Sequence, residues 1–450
     1  MRIPLFALWF LAACAKPTLQ SELPSLVVAE DLDPTPHFVR VALRAQETTV
    51  RFVASAPTAV WTYNGIVPGP LIEANVGDTL IVEFQNDLPA PTTIHWHGVR
   101  VPNAMDGVTL MNTPVPSGGS FRYEFTLKDS GLYWFHPHFD SAEQVRRGLY
   151  GVIRVKGPAE PAADIEKILV LGDIKLRADG QISDSLDDTS AMIGRQGNTL
   201  LVNGVVHPLL RLPGGGVTRL RLVNTANARY FKLGANGLSF LVYGTDGSPY
   251  AEPFETSTVM LVPGERLDVF IKGPPGGDID LMALPYERGH GTGAAAAVSL
   301  MTLRFEKASS NAALPSGSFS VDPLPTIERA PFRIALSEEM SGSAVKFFVN
   351  AQQWPAVPVW SPDAGVSRFE VVNESEMDHP FHLHGFFFQV LSRDGVEEPG
   401  GRLVWKDTIN IPAKSSLTAA VRFDEPGRWI YHCHILEHAE GGMMGEVDVQ

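Results

Sequence analysis

Residues 431–444 read YHCHILEHAEGGMM, and no other stretch limits the fold of this chain so tightly. It holds His432, Cys433, His434, His438 and Met443. Successive side chains of a strand point to opposite faces, so His432 and His434 share one face and Cys433 points away from them. Such a strand must separate two chemically different spaces. A thiolate, two imidazoles and a thioether in this order are the ligands of a blue-copper electron-transfer site. The histidines that flank the cysteine need partners of their own on the opposite face.

Those partners exist. The chain has 13 histidines, and all but His37, His207 and His290 fall in four short blocks. The blocks are HWHG (95–98), HPH (136–138), HPFHLHG (379–385) and HCHILEH (432–438). One His-X-His pair alone can be two polar residues on a strand face. Four blocks in matching positions of two repeats make that reading untenable. The three outlying histidines read as ordinary surface or core residues. Alternation puts His95 and His97 on one side of Trp96, and His136 and His138 on one side of Pro137. Cys433 is therefore expected to bind metal inside its own domain, while His432 and His434 project outward to meet pairs from elsewhere.

The repeat is legible in its own right. Thr79–Phe84, Arg219–Val223 and Arg368–Val372 alternate with period two, the strand signal, and each is followed within two residues by an asparagine, Asn86, Asn224 or Asn373. GLYWFHPH (131–138) resembles GRWIYHCH (427–434), and IHWHG (94–98) resembles FHLHG (381–385). The middle unit keeps the strand run and the turn Pro263-Gly264-Glu265-Arg266 but has no paired histidines. Glycine and proline are frequent, which favours short strands joined by turns. The expectation is an all-β protein of three related β-sandwich domains, 37–157, 158–308 and 309–450. Their boundaries fall at Gly157-Pro158 and in the Ser/Pro-rich stretch Ser309–Pro325.

The formal net charge of −14 argues against nucleic acid as a partner. The start, MRIPLFALWFLAAC, has a single charge and a short apolar core, which fits a secretory signal and is too short to remain as a membrane span. Leu11-Ala12-Ala13-Cys14 looks like a bacterial lipobox, with an ordinary signal peptide as the alternative. Residues 15–36 read as a tether. Cys14 and Cys433 are the only cysteines. A lipidated Cys14 leaves no disulfide, and coordination would protect Cys433 in an oxidising compartment. These features imply export, with a lipid anchor holding the chain at the periplasmic face of the outer membrane.

The four histidine blocks resemble those of the multicopper oxidases, the family of laccases and bacterial metal oxidases, over nearly the whole chain after residue 36. The resemblance implies cupredoxin-like Greek-key sandwiches, four copper ions and a monomer. By it, His379, Cys433 and His438 hold a type 1 copper with Met443 axial. Met444 is the neighbouring rival, but the family spacing after the cysteine favours Met443. His95 and His382 take a type 2 copper. His97, His136, His138, His384, His432 and His434 take a type 3 pair. A reducing substrate delivers electrons at the edge of His438, and Cys433 passes them to the cluster where dioxygen becomes water. Asp106 stands where relatives carry an acid that relays protons, although Asp106-Gly107 is also a common turn pair. The second acid of many relatives is replaced by Ala439, with Glu440 one residue later. Asp378 and Asp407 are candidates to orient the histidines. Two donor classes compete: phenols and aromatic amines, as in laccases, or Cu(I) and Fe(II), as in metallo-oxidases. The glycine-rich stretch Gly289–Ala297 has no methionine, and Met105 and Met111 are too few to form a Cu(I)-binding tract, which favours the laccase-like reading. A complete ligand set argues against a copper-free relative, and the six type 3 candidates argue against a nitrite reductase.

Overall fold

The period-two runs become strands, and the strands assemble into six sheets that face one another in three pairs. The computed structural model describes residues 21–450 apart from 54–55, 159, 185, 295, 308–309, 311 and 342–343. The signal sequence, the lipobox and Cys14 lie outside the described residues. The first sandwich pairs two four-stranded sheets, the second a six- and a five-stranded sheet, the third a six- and a four-stranded sheet. Each encloses its own apolar core. No helix among the described residues is long and apolar enough to cross a membrane.

The internal repeat survives as topology. In each sandwich an opening strand runs parallel to the asparagine-bearing strand: Phe38–Ala45 with Thr79–Asn86, Ile165–Leu171 with Thr218–Asn224, and Phe332–Leu336 with Phe369–Asn373. A parallel pair cannot be closed by a hairpin, so the chain must cross over between the two strands. The three asparagines explain how it turns afterwards. Asn86 donates to Ala90 O and Val115 O (both 2.9 Å) and accepts from Leu88 N (3.0 Å). Asn224 donates to Arg229 O and Leu261 O and accepts from Ala226 N. Asn373 donates to Met377 O and Ile411 O and accepts from Ser375 N. One buried amide thus satisfies three backbone groups at the same place in each domain.

Two antiparallel registers set the histidines. His95–His97 pairs with Gly131–His136, placing His95 opposite His136 and Trp96 opposite Phe135. His379–Leu383 pairs with Gly427–Cys433, placing Phe381 opposite Cys433 and His382 opposite His432. Trp96 and Phe135 fill the first core; Phe381, Leu383 and Cys433 fill the third.

Part of the stretch expected to be a tether is docked instead. Leu23 N donates to Leu209 O (2.7 Å) in the second domain, and Ala29 N donates to Leu71 O (2.8 Å) in the first. The exposed edges of those strands offer unpaired backbone groups, and the segment 21–32 takes them up. In the Ser/Pro-rich stretch, residues 312–325 run over the second domain, with Phe319 packed on Tyr243, and reach the third at Leu324, whose N–H donates to Gln389 Oε1 (2.8 Å).

Replacing Asn373 by alanine should lower the stability of the third domain by about 3 kcal/mol, because it strands three buried backbone groups. Equilibrium unfolding in urea measures it. A loss below about 1 kcal/mol would mean that water replaces the amide.

Candidate metal centre

The cysteine side of the strand faces the third core. Cys433 Sγ lies 3.5 Å from His379 Nδ1 and 3.8 Å from His438 Nδ1, and the two Nδ1 atoms are 3.3 Å apart. All three side chains are completely buried. Met443 is buried in the same core, and its carbonyl accepts from Cys433 N (3.1 Å). Met444 points the other way, into a cavity beside His432. Burial pushes the Cys433 thiol up to about 12 and His379 down to about 3. A thiol in this state binds metal only by giving up its proton, so metal uptake here releases one. The outward nitrogens are tied down: His379 Nε2 to Ser375 Oγ (2.8 Å), His438 Nε2 to the carbonyl of Met192 (3.0 Å). Phe347 stacks on His438 at 3.9 Å.

The edge of His438, expected from the resemblance as the entry point for electrons, is covered. The ring is fully buried. The short helix Asp188–Ile193 of the middle domain lies over it and packs on the strand Ala344–Val349. Its Met192 carbonyl accepts from His438 Nε2 (3.0 Å).

On the other face, eight histidines from the first and third domains converge. His97, His136 and His434 form one group, and His138, His384 and His432 a second, each with ligand atoms within 4.8 Å of one another. His95 and His382 meet beside His97. In most of these rings one nitrogen is anchored and the other is free. Nδ1 of His95 donates to Asp106 O (3.1 Å), that of His136 to Pro137 O (2.9 Å), that of His382 to Asp407 O (2.9 Å) and that of His432 to Cys433 O (2.8 Å). Nε2 of His95, His136 and His382 is buried with no hydrogen-bond partner. Nε2 of His384 and His432 face each other at 3.1 Å. His97 is reversed: Nε2 is anchored and Nδ1 is free. Neutral imidazoles with converging free lone pairs are what a cluster of copper ions requires.

Three profiles of the multicopper oxidase family match residues 44–160, 177–292 and 330–450. The multicopper oxidase MmcO of Mycobacterium tuberculosis is 30% identical over 490 residues, covering 97% of this chain and 93% of the relative. The chain belongs to the multicopper oxidases. It is a copper oxidoreductase that takes electrons from a reducing substrate and uses dioxygen as acceptor. A multicopper oxidase from Campylobacter jejuni, described as a metallo-oxidase, superposes with a TM-score of 0.86 at 30% identity, covering 96% of this chain and 95% of that one. The laccase of Bacillus subtilis is 25% identical, covering 87% of this chain and 90% of the relative.

In this multicopper oxidase the acids named from sequence fall in different places. Asp106 is buried between the domains: Oδ2 accepts from His384 Nδ1 (2.8 Å), and Oδ1 lies 3.2 Å from His95 Nδ1. Asp407 lies against His97 and His382. Asp378 touches no histidine; it accepts from Tyr286 Oη, Asn410 Nδ2 and Ala413 N, so its expected orienting role is replaced by one in holding loops together. Glu440 lines a cavity of about 100 Å³ together with Asp140, His138 and His432, and burial pushes it up to about 7. Sequence reading missed Thr408, whose hydroxyl lies 2.9 Å from His97 Nε2, and Arg266, which pairs with Asp407. It also missed Arg288, a buried guanidinium stacked on Tyr230 near the cysteine site. Arg266 stood in the turn noted as a remnant of the repeat, which was the only signal available.

Burial, with the neighbouring imidazoles, holds His97, His136, His138, His382, His384, His434 and His438 well below the ordinary histidine range, and His432 at about 4. The folded apoenzyme keeps these rings neutral, while the unfolded chain protonates them near pH 6.5. The unfolded state then binds more protons, so stability is fully present above about 6.5 and falls as the pH drops towards about 4. Each such ring contributes up to about 1.4 kcal/mol per pH unit. Thermal unfolding of copper-free enzyme across that range should show a steep decline; a flat profile would mean that the rings are hydrated.

Proposed function

We propose that this enzyme oxidises a small metal-ion donor, Cu(I) or Fe(II), and reduces dioxygen to water with four coppers. The observation that carries the donor class is the cover over His438. A bulky aromatic donor gains nothing from a ring that is fully buried and already bonded to Met192 O. A small cation needs no cleft, and the chain carries a formal net charge of −14. The likeness to the Campylobacter metallo-oxidase supports the same reading. Laccase-like oxidation of phenols is the second reading, favoured by the lack of a methionine tract and by the likeness to the Bacillus laccase.

His379, Cys433, His438 and Met443 are assigned to a type 1 copper, and His95 and His382 to a type 2 copper. The type 3 pair is assigned to His97, His136 and His434 on one side and His138, His384 and His432 on the other. When bound, the coppers supply one-electron chemistry and the reduction of dioxygen. The protein contributes arrangement and protons. Cys433 is joined through its own main chain to His432 and His434, so one strand connects both sites covalently. Asp106 holds His95 and His384 in place across the domain junction and is assigned as the relay that passes protons to the cluster. Glu440, able to hold and release a proton near neutral pH, lines the small cavity that reaches His138 and His432 and is assigned the second relay. We place the enzyme as a monomer at the periplasmic face, anchored through a lipid on Cys14.

Oxygen uptake compared side by side with Cu(I), Fe(II) and phenols tests the donor. The expected result is faster turnover with a metal ion. Phenol turnover that exceeds both would reverse the ranking. Asp106→Asn should slow oxygen reduction by about 100-fold while the blue colour persists. Unchanged turnover in that variant would remove Asp106 from the proton route.

A further inference from the structure

The middle domain offers no ligand, yet its turn Pro263–Arg266 sits against the histidine cluster. A Cβ on Gly264 would lie 2.9 Å from both His434 Cδ2 and His97 Cε1, so the turn touches rings of the first and third domains at once. Arg266, which follows, is completely buried. Its Nη1 and Nη2 donate to Asp407 Oδ1 (2.7 Å) and Oδ2 (2.5 Å), a two-pronged pair with the third domain. Its Nε donates to Leu132 O (3.2 Å) of the first domain, and Nη2 also to Asp246 O (2.9 Å) of its own.

Asp407 passes this constraint on. Its Oδ1 accepts from Thr408 Oγ1 (2.8 Å), which leaves that hydroxyl oxygen to accept from His97 Nε2 (2.9 Å). Oδ1 itself lies 3.3 Å from the same nitrogen. His97 must therefore carry its hydrogen on Nε2, which frees Nδ1, the reverse of its neighbours. The main-chain carbonyl of Asp407 anchors His382 Nδ1 (2.9 Å). The glycine of HWHG fits this arrangement: at Gly98, φ is +80°, and a Cβ would come within 2.3 Å of Arg266 Nη2 and 2.7 Å of Asp407 Oδ2. The pair occupies the space that any larger residue there would fill.

We propose that Arg266 is a positioning residue of the copper cluster, acting through Asp407 to fix the tautomer and direction of His97 and the seat of His382. The ligand-free domain thereby completes the site. This rests on the four-copper reading above. A purely structural ion pair would lower stability without changing how the histidines bind metal.

The test compares copper-loaded wild type, Arg266→Met, Arg266→Lys and Asp407→Asn. Arg219→Met serves as control, since Arg219 is an equally buried arginine of the same domain paired with Asp268. Copper content, the near-ultraviolet absorption of the coupled pair and the type 2 paramagnetic signal are read for each. In R266M the blue colour should persist. The type 2 signal should change, and copper at the cluster should be lost to a chelator about 10- to 100-fold more readily. R266K should recover part of this, and R219M should lose stability alone. D407N keeps the packing and should show the same spectral change, so the proposal stands or falls on it if R266M does not fold. Unaltered spectra and retention in R266M or D407N, or equal changes in R219M, would overturn the positioning role. A wild-type enzyme without the coupled pair would instead overturn the four-copper reading, and the proposal with it.

Discussion

The pairing of His379–Leu383 with Gly427–Cys433 is the constraint on which the rest of the molecule depends. Its register sends His379, Phe381, Leu383 and Cys433 into the third core and His382, His384, His432 and His434 towards the first domain. A slip of one residue would exchange the two sets. The thiol would then face the junction, and the imidazoles would be packed among phenylalanines. Backbone bonds on both sides hold the register: His434 N to Pro380 O (2.7 Å), His384 N to Ile430 O (3.0 Å) and Cys433 N to Met443 O (3.1 Å). The distance between the two sites is therefore set by a single peptide unit on either side of Cys433, and no domain movement can alter it.

That arrangement has a cost. Nitrogens of His95, His97, His136, His382 and His434 are buried without partners in the copper-free protein. An unsatisfied buried group costs about 1–3 kcal/mol. Metal offsets this by becoming the missing partner. Arg266 with Asp407 and Asp106 with His384 hold the cluster across the domain junctions. Low histidine pKa values belong to the same balance, because burial penalises a charge on any of these rings.

Local chemistry was legible in the chain and long-range chemistry was not. The histidine blocks declared themselves because strand alternation is a rule of neighbours. The three asparagines did so because each repeats the same turn. Asp378 and Asp407 looked equivalent in sequence, each standing close to a histidine or a strand start. Only the fold shows that one braces loops and the other meets two histidine rings. The hydroxyl of Thr408 reaches a histidine 311 positions away, and Met192 reaches one 246 positions away. No periodicity reports contacts of that separation. The cover on His438 was not legible for the same reason, because the segment that closes it belongs to another domain.

A domain without ligands therefore shapes both sites. One of its segments, Asp188–Ile193, closes the outer side of the cysteine site, and another, Pro263–Arg266, braces the histidine cluster from behind. The consequences differ. At the cluster the contact is two-pronged and buried. Over His438 the contact is a single hydrogen bond from a half-buried stretch of two helical turns at most, with an exposed surface that carries carboxylates. The Met192 carbonyl lies 3.0 Å from His438 Nε2, so a segment of another domain closes the outer side of the cysteine site. Both sites therefore depend on packing against a domain that supplies none of their ligands.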